Sequence, residues 1–486
     1  MLILGFWLVG ADAASQPALV LRPSLGIFLG GYVLLVLAVA AWARLLCRRL
    51  LTTDPQGALT RFHRIVRMAR WMVPAWLLYG LFAGPAWGQL VLAITGTKYQ
   101  VPGVLLGTLP SLLAWMALWW AEFPADRALR EQSILGELFN DLPVHMPPPF
   151  VRYALTMLRQ QLLPIILPVL LIILLRDVVL LAAGRFIGPG YDELVTLVAA
   201  LALFPALPEV LRFLFNARPL EDSPLRRRLE AICRRTRLRY RDILLWQTEY
   251  SIANAAVIGV LPRWRYVLLS DRLIETMTDD QIEAVFAHEA GHIVHHHLLW
   301  FVLFFALLML AAMGPGQIID DWITARLPGA FREMRQYQTV HDVLSGAAVF
   351  VGMALFFGML SRRFERQADV FAARMMENNW GDLADAAEPQ SASASLPRRL
   401  AYARCLVGPR GAAILASALH RVAVVNNIPL RARDWLHPSI AKRMGYLEDL
   451  SADPPRTRDF DRLMSRLYAA LVLAIVVCGV LALVAR

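Results

Sequence analysis

Apolar residues run along this chain in long blocks, not in the alternating or one-faced patterns of a soluble domain. Blocks near 20 residues with few charges predict membrane helices. Eight stretches fit: Leu25–Ala43, Trp71–Ile94, Val104–Ala121, Leu162–Ala183, Leu194–Phe215, Leu298–Met313, Val343–Leu360 and Leu467–Ala485. The sixth is short and stops at Gly314 and Pro315. The fourth carries Arg176 and Asp177 side by side. Either the pair faces the protein interior, or the span ends early and the pair sits at the headgroups; both readings stay open. The spans divide the chain into a five-span membrane domain (1–215), a soluble part (216–297), a transmembrane hairpin (298–360), a second soluble part (361–466) and a last span (467–486).

Charge orients this pattern. Arg44, Arg48, Arg49, Arg61, Arg64, Arg67 and Arg70 follow span one, against Asp54 alone. The loop after span two holds only Lys98, whereas Arg218, Arg226, Arg227 and Arg228 follow span five. Arg456, Arg458, Arg462 and Arg466 precede span eight. All three basic segments fall on one side if the N-terminus is outside, and basic loops mark the cytoplasmic side. Both termini are then outside, both soluble parts are cytoplasmic, and a bacterial-type inner membrane is the expected location. Composition agrees: 57% of the 486 residues are hydrophobic and 18% charged, against about 25% charged in an ordinary soluble domain. The net charge of +11 belongs to these loops, so a lipid bilayer and not nucleic acid is the partner it implies. Cys47, Cys233, Cys405 and Cys478 lack any pairing or metal spacing and read as free thiols. Met1–Ser15 is faintly like a signal peptide without its positive start, and Glu388–Pro397 reads as a mobile Ser/Ala-rich loop. Nothing in the sequence speaks to oligomeric state.

The chemistry sits where spans six and seven meet the soluble parts. His288-Glu289-Ala290-Gly291-His292 is an HExxH match. On a helix its two histidines share a face and can hold one zinc ion, with Glu289 beside the reacting water. Thr278 and Gln281 have capping-box spacing, Asp279 and Asp280 suit the first turn, and Ile282, Val285, Phe286 and Ile293 form an apolar stripe. With no proline before Pro315, this helix is expected to run on into span six. A lone HExxH can be an ordinary polar helix turn, so a third ligand is the test. Span seven returns the chain to Ser361-Arg362-Arg363-Phe364-Glu365-Arg366-Gln367-Ala368-Asp369. Glu365 and Asp369 share a helix face; one can ligate the metal while the other holds a ligand histidine by its free ring nitrogen. Consecutive His295, His296 and His297 cannot chelate together and mark the membrane interface. Trp119, Trp120 and Trp300 read as interface anchors, and Met375–Met376 as core.

HEAGH followed across two spans by SRRFERQAD resembles the M48 metallopeptidases, of the Ste24 prenyl protease type more than the HtpX type. Ser251-Ile252-Ala253-Asn254-Ala255 with Gly259 resembles the family's strand before the catalytic helix, and His437-Pro438-Ser439 with Arg443 its C-terminal motif. The similarity covers about 215–450; the eighth span departs from the pattern. It implies a mainly α, polytopic membrane protein with a cytoplasmic gluzincin-like peptidase domain containing a small β-sheet. It further implies one Zn²⁺ per chain on His288, His292 and Glu365, Glu289 as general base, and Asp369 behind a ligand. His437 and Arg443 would serve the oxyanion, and Asn254 and Ala255 a substrate-pairing edge strand. The expected activity is zinc-dependent hydrolysis of peptide bonds in membrane or membrane-anchored proteins. A catalytically silent zinc scaffold or sensor, and a transporter, are the alternatives. The intact Glu289 argues against the first, and the lack of repeats against the second.

Overall fold

The structure is a computed structural model that describes residues 21–50, 55–80, 86–96, 100–139, 143–184, 186, 191–311, 315–326, 335–377, 406–432 and 436–484. Met1–Ser15, Asp54, Lys98, Glu388–Pro397 and Cys405 lie outside them; Cys47, Cys233 and Cys478 are free.

The first half is helical: α1 (Leu21–Leu50), α2 (Pro55–Leu78), α3 (Ala86–Thr95), α4 (Gln100–Phe139), α5 (Phe150–Met157), α6 (Leu163–Ala183), α7 (Asp192–Leu203) and α8 (Leu207–Leu214). A π turn at Leu158–Leu162 joins α5 to α6. Phe28, Val73, Leu77, Trp87, Val91 and Leu118 form an apolar core between α1, α2, α3 and α4. Two polar pairs lie in or beside it, where a low dielectric favours pairing: Tyr32 Oη lies 2.7 Å from Ser111 Oγ, and Arg70 meets Glu122 at 2.8 Å. The Arg176–Asp177 question resolves inward. Helix α6 continues to Ala183, both side chains are buried, and they pair at 2.7 Å. Asp177 also accepts the backbone N–H of Val101 at 2.9 Å, satisfying an orphan donor at the start of α4.

Five of the eight expected spans coincide with helices long and apolar enough to cross a bilayer: Leu25–Arg48, Gln100–Glu131, Phe150–Ala183, Leu194–Leu214 and Arg456–Leu483. Their outer faces are apolar; Leu473, Val476, Val480 and Leu483 of the last are all exposed. Such surfaces need lipid, and the chain is an integral membrane protein. The second expected span is divided between α2 and α3, with 81–85 outside the described residues. Trp119 is corrected from interface anchor to packing residue. It lies in mid-α4, fully buried against Tyr153, Met157 and Leu162, because α4 runs on past it.

A four-stranded sheet follows, in the order β1 (Ala217–Pro219), β2 (Asp242–Trp246), β4 (Tyr266–Ser270), β3 (Ala255–Ile258). β2 and β4 are parallel and the other pairs antiparallel, with Ala255 opposite Leu269. β3 is therefore an edge strand. Helix α9 (Pro224–Thr236) packs on this layer from a Ser223 cap and a first-position proline. Then come α10 (Asp271–Thr276), α11 (Asp279–Val294), α12 (His297–Ala311), α13 (Gln317–Ala325) and α14 (Arg335–Glu377), then α15 (Pro409–Val425), α16 (Ile440–Ala452) and α17 (Arg456–Val484). One core joins the elements before α12 to those after it: Ile243, Val267, Phe286 and Ala287 pack with Phe364, Phe371, Leu415, Leu447 and Phe460.

Candidate metal centre

Helix α11 starts as its sequence predicts. Thr278 and Gln281 form the complete capping box, with Asp279 and Asp280 in the positive first turn. Its end differs from expectation. The helix does not continue into span six; it stops at Val294, His296 takes φ 54°, and α12 leaves at 43°. Helix α14 is continuous for 43 residues, or about 65 Å, twice the ~30 Å hydrocarbon core. It can thus carry span seven and still deliver Glu365 and Asp369 to α11.

Gly291 sets the helix spacing. A Cβ there would stand 3.1 Å from Ala368 Cα and 3.2 Å from Phe371 Cδ1, so only glycine admits α14 this closely. On the facing turns, His288, His292 and Glu365 bring one donor atom each within 4.8 Å of one another. The two Nε2 atoms are 3.3 Å apart. Glu365 Oε2 lies 3.6 Å from His288 Nε2, and Oε1 3.5 Å from His292 Nε2. A tetrahedral ion with bonds of about 2.0–2.1 Å sets its ligands roughly 3.3 Å apart, so the spacing and the N,N,O donor set fit zinc.

The outer ring nitrogens are both engaged. His288 Nδ1 is 3.0 Å from Asp369 Oδ1, which points Nε2 at the cluster. Arg443 holds Asp369 by two bonds, Nε to Oδ2 at 2.9 Å and Nη2 to Oδ1 at 2.5 Å; its Nη1 reaches Glu365 at 3.8 Å. His292 Nδ1 meets His297 Nδ1 at 2.8 Å, and His297 Nε2 meets Gln367 Oε1 at 2.9 Å.

These contacts set the charges. Burial opposes the charged form of His288, but Asp369 and Glu365 outweigh it and raise its pKa to about 9. Burial, with His288 nearby, pushes His292 down to about 4. Burial alone would raise Glu365; His288 and Arg443 overcome it and hold the carboxyl well below its usual range. Burial lifts Glu289 to about 7, against the pull of His288, a value suited to taking and returning a proton near neutrality.

Glu289, His437, Asn254, Ala255 and Val257 face one cavity of ≈ 1470 Å³ with the cluster. His437 Nε2 lies 3.5 Å from Glu365 Oε1, with its side chain 48% exposed. The carbonyl of Asn254 accepts from Ser270 N at 3.0 Å, so by strand alternation the C=O of Ala255 and the N–H and C=O of Val257 point to the open edge, while the Ala255 N–H donates to Asn254 Oδ1 at 3.0 Å. All nine residues expected from the sequence therefore gather in or directly behind this cavity. His297 and Gln367 were missed. On a continuous helix, His297 would point roughly 140° away from His292; the break at His295–His296 swings its ring back, and no periodicity signals that break.

Two histidines and a carboxylate on facing helices, with a glutamate between the histidines, define a metallopeptidase-type centre. Residues 219–451, just under half of the chain, match the model of peptidase family M48, a metal-dependent family, and this match supports reading them as an M48-type metallopeptidase domain. A CAAX prenyl protease 1 homolog of Arabidopsis thaliana is 26% identical over 189 residues, 37% of this chain and 43% of that protein. The Oryza sativa subsp. japonica homolog is 23% identical over 262 residues, covering 51% and 53%. CAAX prenyl protease 1 of Saccharomyces cerevisiae is 24% identical over 194 residues, covering 35% and 42%. The chain spans about half the length of these curated relatives. A crystal structure of Ste24p from S. mikatae aligns with TM-score 0.43 and 16% identity, over 89% of this chain and 100% of that one.

Proposed function

We propose that this protein is a zinc endopeptidase of the membrane that hydrolyses peptide bonds of membrane or membrane-anchored proteins at the cytoplasmic face. The observation that carries the reading is the convergence of His288, His292 and Glu365 beside Glu289 at the foot of α12 and α14. His288 and His292 through Nε2, with Glu365, would hold one zinc ion. When bound there, zinc supplies Lewis-acid chemistry, acidifying water and polarising a scissile carbonyl.

The remaining work falls to the chain itself. Glu289 takes the proton from the attacking water and hands it to the leaving amine. His437, exposed on the cavity side of Glu365, donates to the developing oxyanion. Asp369 fixes the ring of His288, and Arg443 fixes Asp369 while lending positive charge to the site. The open edge of β3 receives the substrate as an added strand, which aligns its backbone before any side chain is read. The basic loops support a cytoplasmic site with both termini outside.

Apolar helices beside the cavity suit substrates that arrive within or tethered to the bilayer. The relatives' names add lipid-anchored C-terminal peptides as one such class. The test is purified protein in vesicles given two fluorogenic peptides of one sequence, one lipid-anchored and one free. Cleavage blocked by a zinc chelator, faster for the anchored peptide, supports the reading. Chelator-insensitive cleavage or none overturns the activity; equal rates overturn the membrane-substrate assignment.

A further inference from the structure

The last helix, α17, reaches the metal centre. Tyr468, near the middle of this helix, donates to Gln367 Oε1 at 2.5 Å, and its ring stacks on Trp300 of α12 with centroids 4.3 Å apart. The same Gln367 oxygen meets His297 Nε2 at 2.9 Å. His297 is buried and lies parallel to Phe364, centroids 4.3 Å apart, so its ring cannot turn freely.

The proton positions along this chain of contacts follow from what each atom can do. A carboxamide oxygen only accepts, so His297 donates from Nε2 and its neutral ring accepts at Nδ1. His292 must then carry its proton on Nδ1, which leaves Nε2 bare for a metal. The reversed Gln367 amide would donate to His297 Nε2, put the proton on His297 Nδ1, and force His292 to carry its own on Nε2, where it blocks ligation. The Tyr468 hydroxyl, arriving as a donor, favours the productive orientation of the amide.

We propose that the C-terminal span is a working part of the metal centre: Tyr468, through Gln367 and His297, is a positioning residue that holds His292 in its ligating tautomer. This rests on the zinc site proposed above. His288 has a separate brace in Asp369, so the two ligand histidines are held from opposite sides, one by α16 through Arg443 and one by α17.

Tyr468→Phe removes the hydroxyl and keeps the ring stack. In full-length purified protein it should release zinc to a chromophoric chelator faster and weaken zinc affinity by about tenfold, the lower end for outer partners of ligand histidines. Metal-free thermal unfolding should stay unchanged. Gln367→Met should lose at least as much. Gln367→Glu keeps an acceptor for both donors and should retain near-wild-type zinc affinity. In the Gln367→Met background, Tyr468→Phe should add nothing, since the two act in series. Zinc retention by Tyr468→Phe equal to wild type, or full additivity with Gln367→Met, overturns the proposal while leaving the zinc site standing. A wild-type chain that binds no zinc overturns both.

Discussion

Asp369→Asn is the sharpest perturbation of the site that leaves every ligand in place. Asp369 is 1% exposed and meets three groups: His288 Nδ1 at 3.0 Å and two nitrogens of Arg443 at 2.5 and 2.9 Å. The asparagine is the same size, so no cavity opens. It carries no charge, so among the described residues the buried Arg443 guanidinium keeps only the longer 3.8 Å ion pair with Glu365. Removing one member of a buried ion pair costs about 3–5 kcal/mol. At about 2–4 °C per kcal/mol for a domain of 150–250 residues, unfolding of the peptidase part should fall by roughly 6–20 °C. The Asn oxygen can still accept from His288, so zinc binding weakens by about 10–100-fold and does not vanish. Arg443 is also freed to compete with the metal for Glu365. Differential scanning fluorimetry and chelator competition measure the two effects side by side. An Asp369→Asn protein with wild-type unfolding temperature and wild-type zinc affinity would refute this account of the brace.

Two further substitutions separate the scaffold from the substrate track. Gly291→Ala adds a Cβ 3.1 Å from the backbone of α14; the helices must part by a few tenths of an ångström, so zinc affinity drops even though alanine favours the helix by up to about 1 kcal/mol. Unchanged affinity in a chelator titration would show that the helix spacing does not set the site. Val257→Pro removes an N–H that points to the open edge of β3 and leaves the pairing with β4 intact, a position where proline is tolerated. It should lower kcat/KM on an anchored peptide by tenfold or more with zinc content unchanged, and wild-type cleavage would exclude strand addition there.

Much of the site was legible because its signals are local. The capping box at Thr278 and the one-face pairing of His288 with His292 and of Glu365 with Asp369 each lie within a few residues and follow helix periodicity. The apolar blocks similarly marked helices α1, α4, α6 and α17. What escaped depends on tertiary geometry. The break at His295–His296 lies in a run with neither proline nor glycine, and only packing on Phe364 and Gln367 shows why the chain turns. Trp119 is amphipathic and near the middle of a long helix, so its burial depends on α5 and the π turn that follows it, which the apolar blocks did not mark. Arg176 and Asp177 were ambiguous for the same reason: the partner of Asp177 at the start of α4 lies 76 residues away.

The central claim is a zinc peptidase with Glu289 as its base, and Glu289→Gln tests it most directly. The variant keeps the size of the side chain and all three ligands, so metal analysis of purified protein should find one zinc per chain, as in the wild type. Chelator-sensitive cleavage of a membrane-anchored reporter should fall by about 10²–10⁴-fold, the range of a general acid–base. Substantial cleavage by the zinc-loaded Glu289→Gln protein would contradict the account.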